Sequence, residues 1–255
     1  MNHLVKDGMR PSATLVVIAV TGASATHERN RAAWRLHSAL LAHHRAGIHV
    51  AADRSYEAFQ LIEKARFGYE EVDDRLRLRY LRTLEQSAWA VAGEHDTARQ
   101  LAQASLADAI ESGDHTIAVI ETANIGIHWL EIGDDEAARQ FLQRGLRAYR
   151  LLRWRSQSAH MLALLGRLEI RHRGLDGLAL VSEACRELDA LDLSGDWAET
   201  RLETAEELLK VDSHADVEEF CYEAYTRAVS LGRSILAQRA LDLLECVQPN
   251  EHPMM

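Results

Sequence analysis

The sequence predicts an all-α fold built from stacked, antiparallel helix pairs. Three features predict it: scarce turn-formers, apolar residues at helical spacing, and a recurring 40-residue register. Across 255 residues there are three Pro and 14 Gly. A β-sandwich or barrel needs turn signals roughly every 8–12 residues, which this chain does not supply. The apolar content of 47% and charged content of 27% are those of a folded protein, not a disordered one.

The repeat appears in several registers at once. Trp89 and Gly93 recur as Trp129 and Gly133. Ala58, Ala98 and Ala138 share the same interval, as do Ala65, Ser105, Gly145 and Cys185. Gly126 and Gly166 form another pair, with Ala46 two periods before Gly126. Small residues at fixed intervals let helices approach closely, and each pair completes its core only against its neighbours. Ala138 and Gly145 are therefore expected on the second helix of a pair, facing the first.

Within each period the spacing is helical. Ile117, Ile120, Ile125, Trp129 and Ile132 follow one face. Gly133-Asp134-Asp135 then offers a left-handed helix end followed by an N-capping carboxylate. Gly93-Glu94, Gly113-Asp114 and Ser194-Gly195-Asp196 mark further boundaries. The pattern predicts eleven helices: 28–52, 54–68, 72–92, 95–112, 115–132, 135–153, 155–173, 176–191, 195–211, 214–231 and 233–247. Residues 28–247 thus form a helical repeat domain, preceded by a leader at 1–27 and followed by a tail at 248–255.

The leader has two readings. Lys6 and Arg10 precede the apolar run 13–20, and Ala23-Ser24-Ala25 has the small-x-small pattern of a signal-peptide cleavage site. The run is short, Asp7 lies in the charged region and Pro11 interrupts its start, which favours a packed or loose leader and a cytoplasmic protein. Export with cleavage is the alternative. The run falls short of the roughly 20 apolar residues needed to span a bilayer.

Twenty-nine basic against 39 acidic residues give a net charge of −10. Phosphate binders rely on a cationic field, so this balance disfavours nucleic acid. Cys185, Cys221 and Cys246 are widely spaced and signal neither a disulfide framework nor a zinc site; they read as buried thiols. His37, His43, His44 and His49 share one predicted helix but lack the His-Glu-x-x-His pattern of a zinc protease. Phosphate-loop, dinucleotide and nucleophile-elbow motifs are absent from the sequence. The chain therefore reads as a non-enzyme, with no metal or cofactor indicated.

The run Thr122-Ala123-Asn124-Ile125-Gly126-Ile127-His128-Trp129, with Ile132-Gly133-Asp134-Asp135-Glu136-Ala137-Ala138 and Phe141-Leu142, resembles the tetratricopeptide repeat. That family shows an Asn-apolar-Gly run, an aromatic one turn on, a Gly-Asp turn and a small residue on the second helix. The unit around Trp89, Gly93, Ala98 and Ser105 resembles it less closely. Around Gly166, Glu169 replaces the aromatic and Gly174 comes one residue late; the first unit has His49 at the aromatic place. The unit from 195 to 231 follows only by pattern. The resemblance spans about 28–247, with units near 40 residues instead of the usual 34, similar to those of bacterial peptide-sensing regulators and of sensor regions in regulatory ATPases.

The resemblance implies a right-handed superhelix whose concave groove is lined by first helices and binds a protein or peptide. Transferred by position, the groove residues are His43, His44, Thr83, Ser87, Asn124, Ile127, Glu131, His160, Arg167 and Arg171. In the family, the residue matching Asn124 holds an extended peptide. The expected role is a scaffold for assembly or signalling; a ligand- or peptide-responsive sensor acting through a partner chain is the alternative. Arg144, Arg147, Arg150, Arg153 and Arg155, continued by Arg167, Arg171 and Arg173, suit either an acidic ligand or pairing with the acidic stretch 183–223. The apolar helix 233–247 is expected to cap the repeat or to form a homodimer contact.

Overall fold

A computed structural model describes the backbone of residues 13–211 and 213–247, and the side chains of 30–247 apart from 212, 214 and 215. These residues form eleven α-helices and no strand: α1 Ala13–Val50, α2 Ser55–Glu71, α3 Arg75–Val91, α4 His95–Ser112, α5 His115–Ile132, α6 Asp135–Leu152, α7 Arg155–Arg173, α8 Leu178–Asp189, α9 Ser194–Lys210, α10 His214–Ser230 and α11 Ser234–Val247. The expected bounds of α4, α5 and α7 coincide with the observed ones at both ends. The helix expected at 28–52 instead runs from Ala13 to Val50, so residues 13–27 belong to the same continuous helix. Residues 1–12 of the expected leader and the tail 248–255 lie outside the described residues.

The 40-residue period is made of two nearly equal halves. Asp53, Asp73, Gly93, Gly113, Gly133 and Arg153, each twenty residues after the last, all have positive φ between 49° and 90°. A left-handed residue directs the chain out of one helix and, within two or three residues, into the next. Asp74, Asp114 and Asp134 then cap the next helices, accepting hydrogen bonds from the amides of Arg77, Ile117 and Ala137 at 3.0–3.1 Å. Within each of the chain's two compact units, turns this short force consecutive helices to run antiparallel. The rhythm changes after α7, where Gly174 (φ 59°) opens a 3-10 turn, Gly174–Gly177, and the next helix starts late.

The helices group into two compact units, 1–93 and 94–255. In the first, α2 packs on α1 and α3 packs on α2. Its core is largely alanine: Ala39, Ala42, Ala46, Ala58, Ala65 and Ala88, with Ile62, Tyr69 and Leu81. Closest approach falls at Gly68, where an added Cβ would lie 2.7 Å from that of Ala39. Phe59 and Trp89 hold α2 and α3 together through rings 4.5 Å apart.

In the second unit, α4 packs on α5, α5 on α6, α7 on α8, and α9 on α10, with α7 also against α9. The small-residue registers are buried as the repeat requires: Ala98 and Ala138 are fully inaccessible, as is Ala58 in the first unit. Gly145 faces the first helix of its pair, since a Cβ there would meet Ala123 Cβ at 3.2 Å. Trp129 is half-buried beneath the guanidinium of Arg99, 4.3 Å from the ring centre. Ile132, expected on the apolar face, is 40% exposed, because it lies beside the turn at Gly133. Cys185 and Cys221 are buried, whereas Cys246 is exposed, against the expectation of three buried thiols. Helix α11 packs its Ala237 and Ala240 inward as a cap on α10, leaving Ile235 and part of Leu241 exposed.

Candidate ligand-binding concavity

The second unit contains a concavity of about 480 Å³. Its walls come mainly from the first helices of three pairs: Ala123, Asn124 and Ile127 of α5; Ser156, Gln157, His160 and Met161 of α7; Asp196, Glu199, Thr200 and Glu203 of α9. Tyr149 of α6 and Leu188 of α8 complete it. Helical spacing explains the choice of residues. Positions three or four apart share a face, so Asn124 with Ile127, Gln157 with His160, and Asp196, Glu199, Thr200 and Glu203 each form a stripe.

Asn124, Ile127 and His160, expected in a groove, all lie on this wall. Asn124 donates to Glu121 Oε2 at 3.3 Å, and Glu121 is itself fully buried and accepts from Ser105 Oγ at 3.0 Å. The amide is thereby held in place at the surface of the concavity. His160 has a solvent-exposed edge but is crowded by surrounding atoms; that crowding keeps its pKa below the ordinary 6.5, with Glu203 and Asp196 opposing the effect and Arg167 adding to it.

Glu131, Arg167 and Arg171 occupy a different setting. Arg167 is only 8% exposed; it donates to Glu203 at 2.8 Å and lies 3.5 Å from Glu207 and 3.9 Å from Glu131. Arg171 grips Glu207 with two bonds of 2.8 Å and reaches Asp135 and the Leu130 carbonyl at 3.3 Å. Burial alone would raise the Glu207 carboxyl, but the bonds from Arg171 and Lys210 bring it down to about 2. These guanidiniums tie α5, α7 and α9 together.

The rest of the arginine run is engaged only in part: Arg150 pairs with Glu183 at 2.9 Å, Arg173 with Glu169 at 3.5 Å, and Arg144 lies over the Phe141 ring, whereas Arg147, Arg153 and Arg155 are exposed. Trp154 stacks on Tyr149 with ring centres 5.7 Å apart.

His43, His44, Thr83 and Ser87 belong to the first unit, so the concavity is built without them. His43 Nδ1 is 3.1 Å from the Tyr69 hydroxyl, and burial, then the neighbouring His44 and Arg77, lowers its pKa. His44 is exposed beside it, while Ser87 donates to the Thr83 carbonyl at 3.2 Å. Among the described residues no group of His, Cys, Asp and Glu is arranged to hold a metal ion.

Sequence reasoning missed Tyr149, Asp196, Glu199 and Thr200. Tyr149 sits on a second helix, where the groove rule does not look. The other three lie in the unit whose family resemblance rests on pattern alone, so no motif residue marked its register.

No protein-family model and no curated protein sequence matches the chain. Among solved structures, it is similar to the crystal structure of the apo form of RapI, with a TM-score of 0.58 and 16% sequence identity over 83% of each chain. At that identity the likeness is one of fold. It supports an all-helical repeat architecture, and no described helix is long and apolar enough to cross a membrane.

Proposed function

We propose that this chain is a non-enzymatic binding scaffold that seats a segment of a protein or peptide in the concavity of α5, α7 and α9. The observation that carries the reading is the convergence of three first helices on one open, mixed polar and apolar hollow of about 480 Å³. That size falls within the roughly 300–1,000 Å³ typical of ligand pockets and suits a few residues of extended chain. Asn124, oriented by Glu121, presents a side-chain amide to a peptide bond. Ile127, Met161 and Leu188 offer apolar surface for side chains. Under this reading Arg167 and Arg171 hold the walls in register instead of touching the ligand.

The likeness to RapI, solved in an apo form, favours a second version of the same role: occupancy of the hollow alters the spacing of the three helices and so the activity of a partner chain. Both versions share one test. A displayed library of random nonapeptides is panned against the wild type, Asn124→Ala and Gln157→Trp, the last filling the hollow from α7. Peptides enriched on the wild type and lost on both variants are the expected result. Enriched peptides indifferent to both substitutions would remove the assignment.

A further inference from the structure

The lining of the concavity is acidic: Asp196, Glu199 and Glu203 line it, and among the described residues no Lys or Arg does. Of the two readings of the arginine run, pairing with the stretch 183–223 is the one that Arg150, Arg167 and Arg171 follow. Of the three lining carboxylates, Glu203 is bound to Arg167. Asp196 and Glu199 have no hydrogen-bond or ion-pair partner among the described residues. Asp196 and Glu199 are exposed at the rim of the hollow; crowding by surrounding atoms first, and then the neighbouring Glu203, still raises the Glu199 carboxyl above its ordinary value, with Arg239 and Arg233 only partly offsetting them. Arg239 is itself engaged by Glu206 at 2.7 and 2.9 Å.

A second feature is independent of these charges. Tyr149 and Thr200 line the same hollow and are each only 5% exposed, yet neither side-chain hydroxyl has a hydrogen-bond partner among the described residues. Neither hydroxyl is fully occluded: each opens onto the hollow with its donor and acceptor available there. Here both line a hollow large enough for a ligand that would satisfy them.

Resting on the peptide-binding reading of the hollow, we infer that it selects a peptide carrying a Lys or Arg, its cationic head set against Asp196 and Glu199. The Tyr149 and Thr200 hydroxyls meet polar groups of the same segment, and the neighbouring apolar residues lie on Ile127, Met161 and Leu188. Charge complementarity decides the class: an acidic segment would bring like charge onto two unpaired carboxylates, and a wholly apolar one would desolvate them without compensation.

The test uses three fluorescein-labelled pentapeptide pools, identical except for Lys/Arg, Gln or Glu at the centre, with binding read by anisotropy on the full chain. The expected result is at least fivefold tighter binding of the Lys/Arg pool than the Gln pool, falling with added salt. Asp196→Asn/Glu199→Gln should bring the ratio of Lys/Arg-pool to Gln-pool affinity down to about one, with circular dichroism verifying the helices. Equal binding of the Lys/Arg and Gln pools, both blocked by Gln157→Trp, would overturn the charge selection and leave the groove standing. Failure of every pool to bind would overturn both readings. Spermidine binding more tightly than any peptide would overturn the peptide assignment in favour of a free polycation.

Discussion

Arg171 on α7 and Glu207 on α9 form a two-pronged ion pair with both N–H···O distances at 2.8 Å, and Glu207 is fully buried. The pair sets two walls of the concavity side by side. Without Arg171, Glu207 keeps only Lys210 at 3.0 Å and Arg167 at 3.5 Å, so Arg171→Met should destabilise the protein in urea unfolding by less than the roughly 3–5 kcal/mol of a fully uncompensated buried charge. The double variant Arg171→Met/Glu207→Leu should recover most of that loss, because Arg167 keeps Glu203 and Lys210 is solvated. A double variant as unstable as the single one would refute this account of the pair.

The same carboxylate makes stability depend on pH. Glu207 titrates at about 2 in the folded chain against an ordinary 4.5. Its contribution is present above 4.5 and is lost as pH falls through about 2. His128 acts earlier. It is 5% exposed, both ring nitrogens lack a hydrogen-bond partner, and burial, then His95 and Arg99, lowers its pKa to about 4. The unfolded chain takes up that proton near 6.5 while the folded chain resists it until about 4. Stability should thus decline first between pH 6.5 and 4, at up to about 1.4 kcal/mol per pH unit for one proton, and again below 4.5 from Glu207. His43 and His160, whose pKa values are also lowered, add to the first decline, so His128→Phe should shrink it and spare the second; chemical denaturation across that range separates them.

Arg153 has φ 58° at a position where Gly113 and Gly133 stand in equivalent turns. A side chain in the left-handed region costs about 1–2 kcal/mol, and Arg153 is exposed. Glycine relieves that strain but frees the unfolded chain, which returns part of the gain. Arg153→Gly should stabilise the second unit by about 0.5–1 kcal/mol, seen as a raised Tm. A lowered Tm would mean that the Arg153 side chain contributes more than its backbone costs.

Much of this architecture was legible because turns and small residues recur on a fixed interval. Gly113-Asp114 and Gly133-Asp134 carry both the left-handed exit and the capping carboxylate, so α5 was bounded correctly at both ends. Where the chain uses Arg153 or Asp192 for the same turn, residue type announces nothing and only the interval helps. The site was legible in part for a related reason. Asn124 and Ile127 sit in the best-matched unit, whereas Glu199 and Thr200 sit in one without a motif residue. Arg167 and Arg171 were placed on the right helix, but their engagement depends on Glu203 and Glu207, both 36 residues away. No local pattern reports a contact at that range.

Gly126 on α5 sits where the first and second helices of a pair come closest. A Cβ there would lie 2.8 Å from the Leu142 backbone nitrogen and 3.1 Å from two Leu142 side-chain carbons. Backbone cannot yield as a side-chain tip can, so α5 and α6 must separate to admit a methyl group. Ala138, on the same α6 and wholly inaccessible, is crowded in the same way. Alanine favours a helix over glycine by about 1 kcal/mol, while overpacking costs about 1–3 kcal/mol. Gly126→Ala should therefore be destabilising by a smaller margin than Ala138→Leu, which has no propensity gain to offset the clash. Urea unfolding ranks the two. If Gly126→Ala instead raised stability, α5 and α6 would have to be further apart than this packing places them.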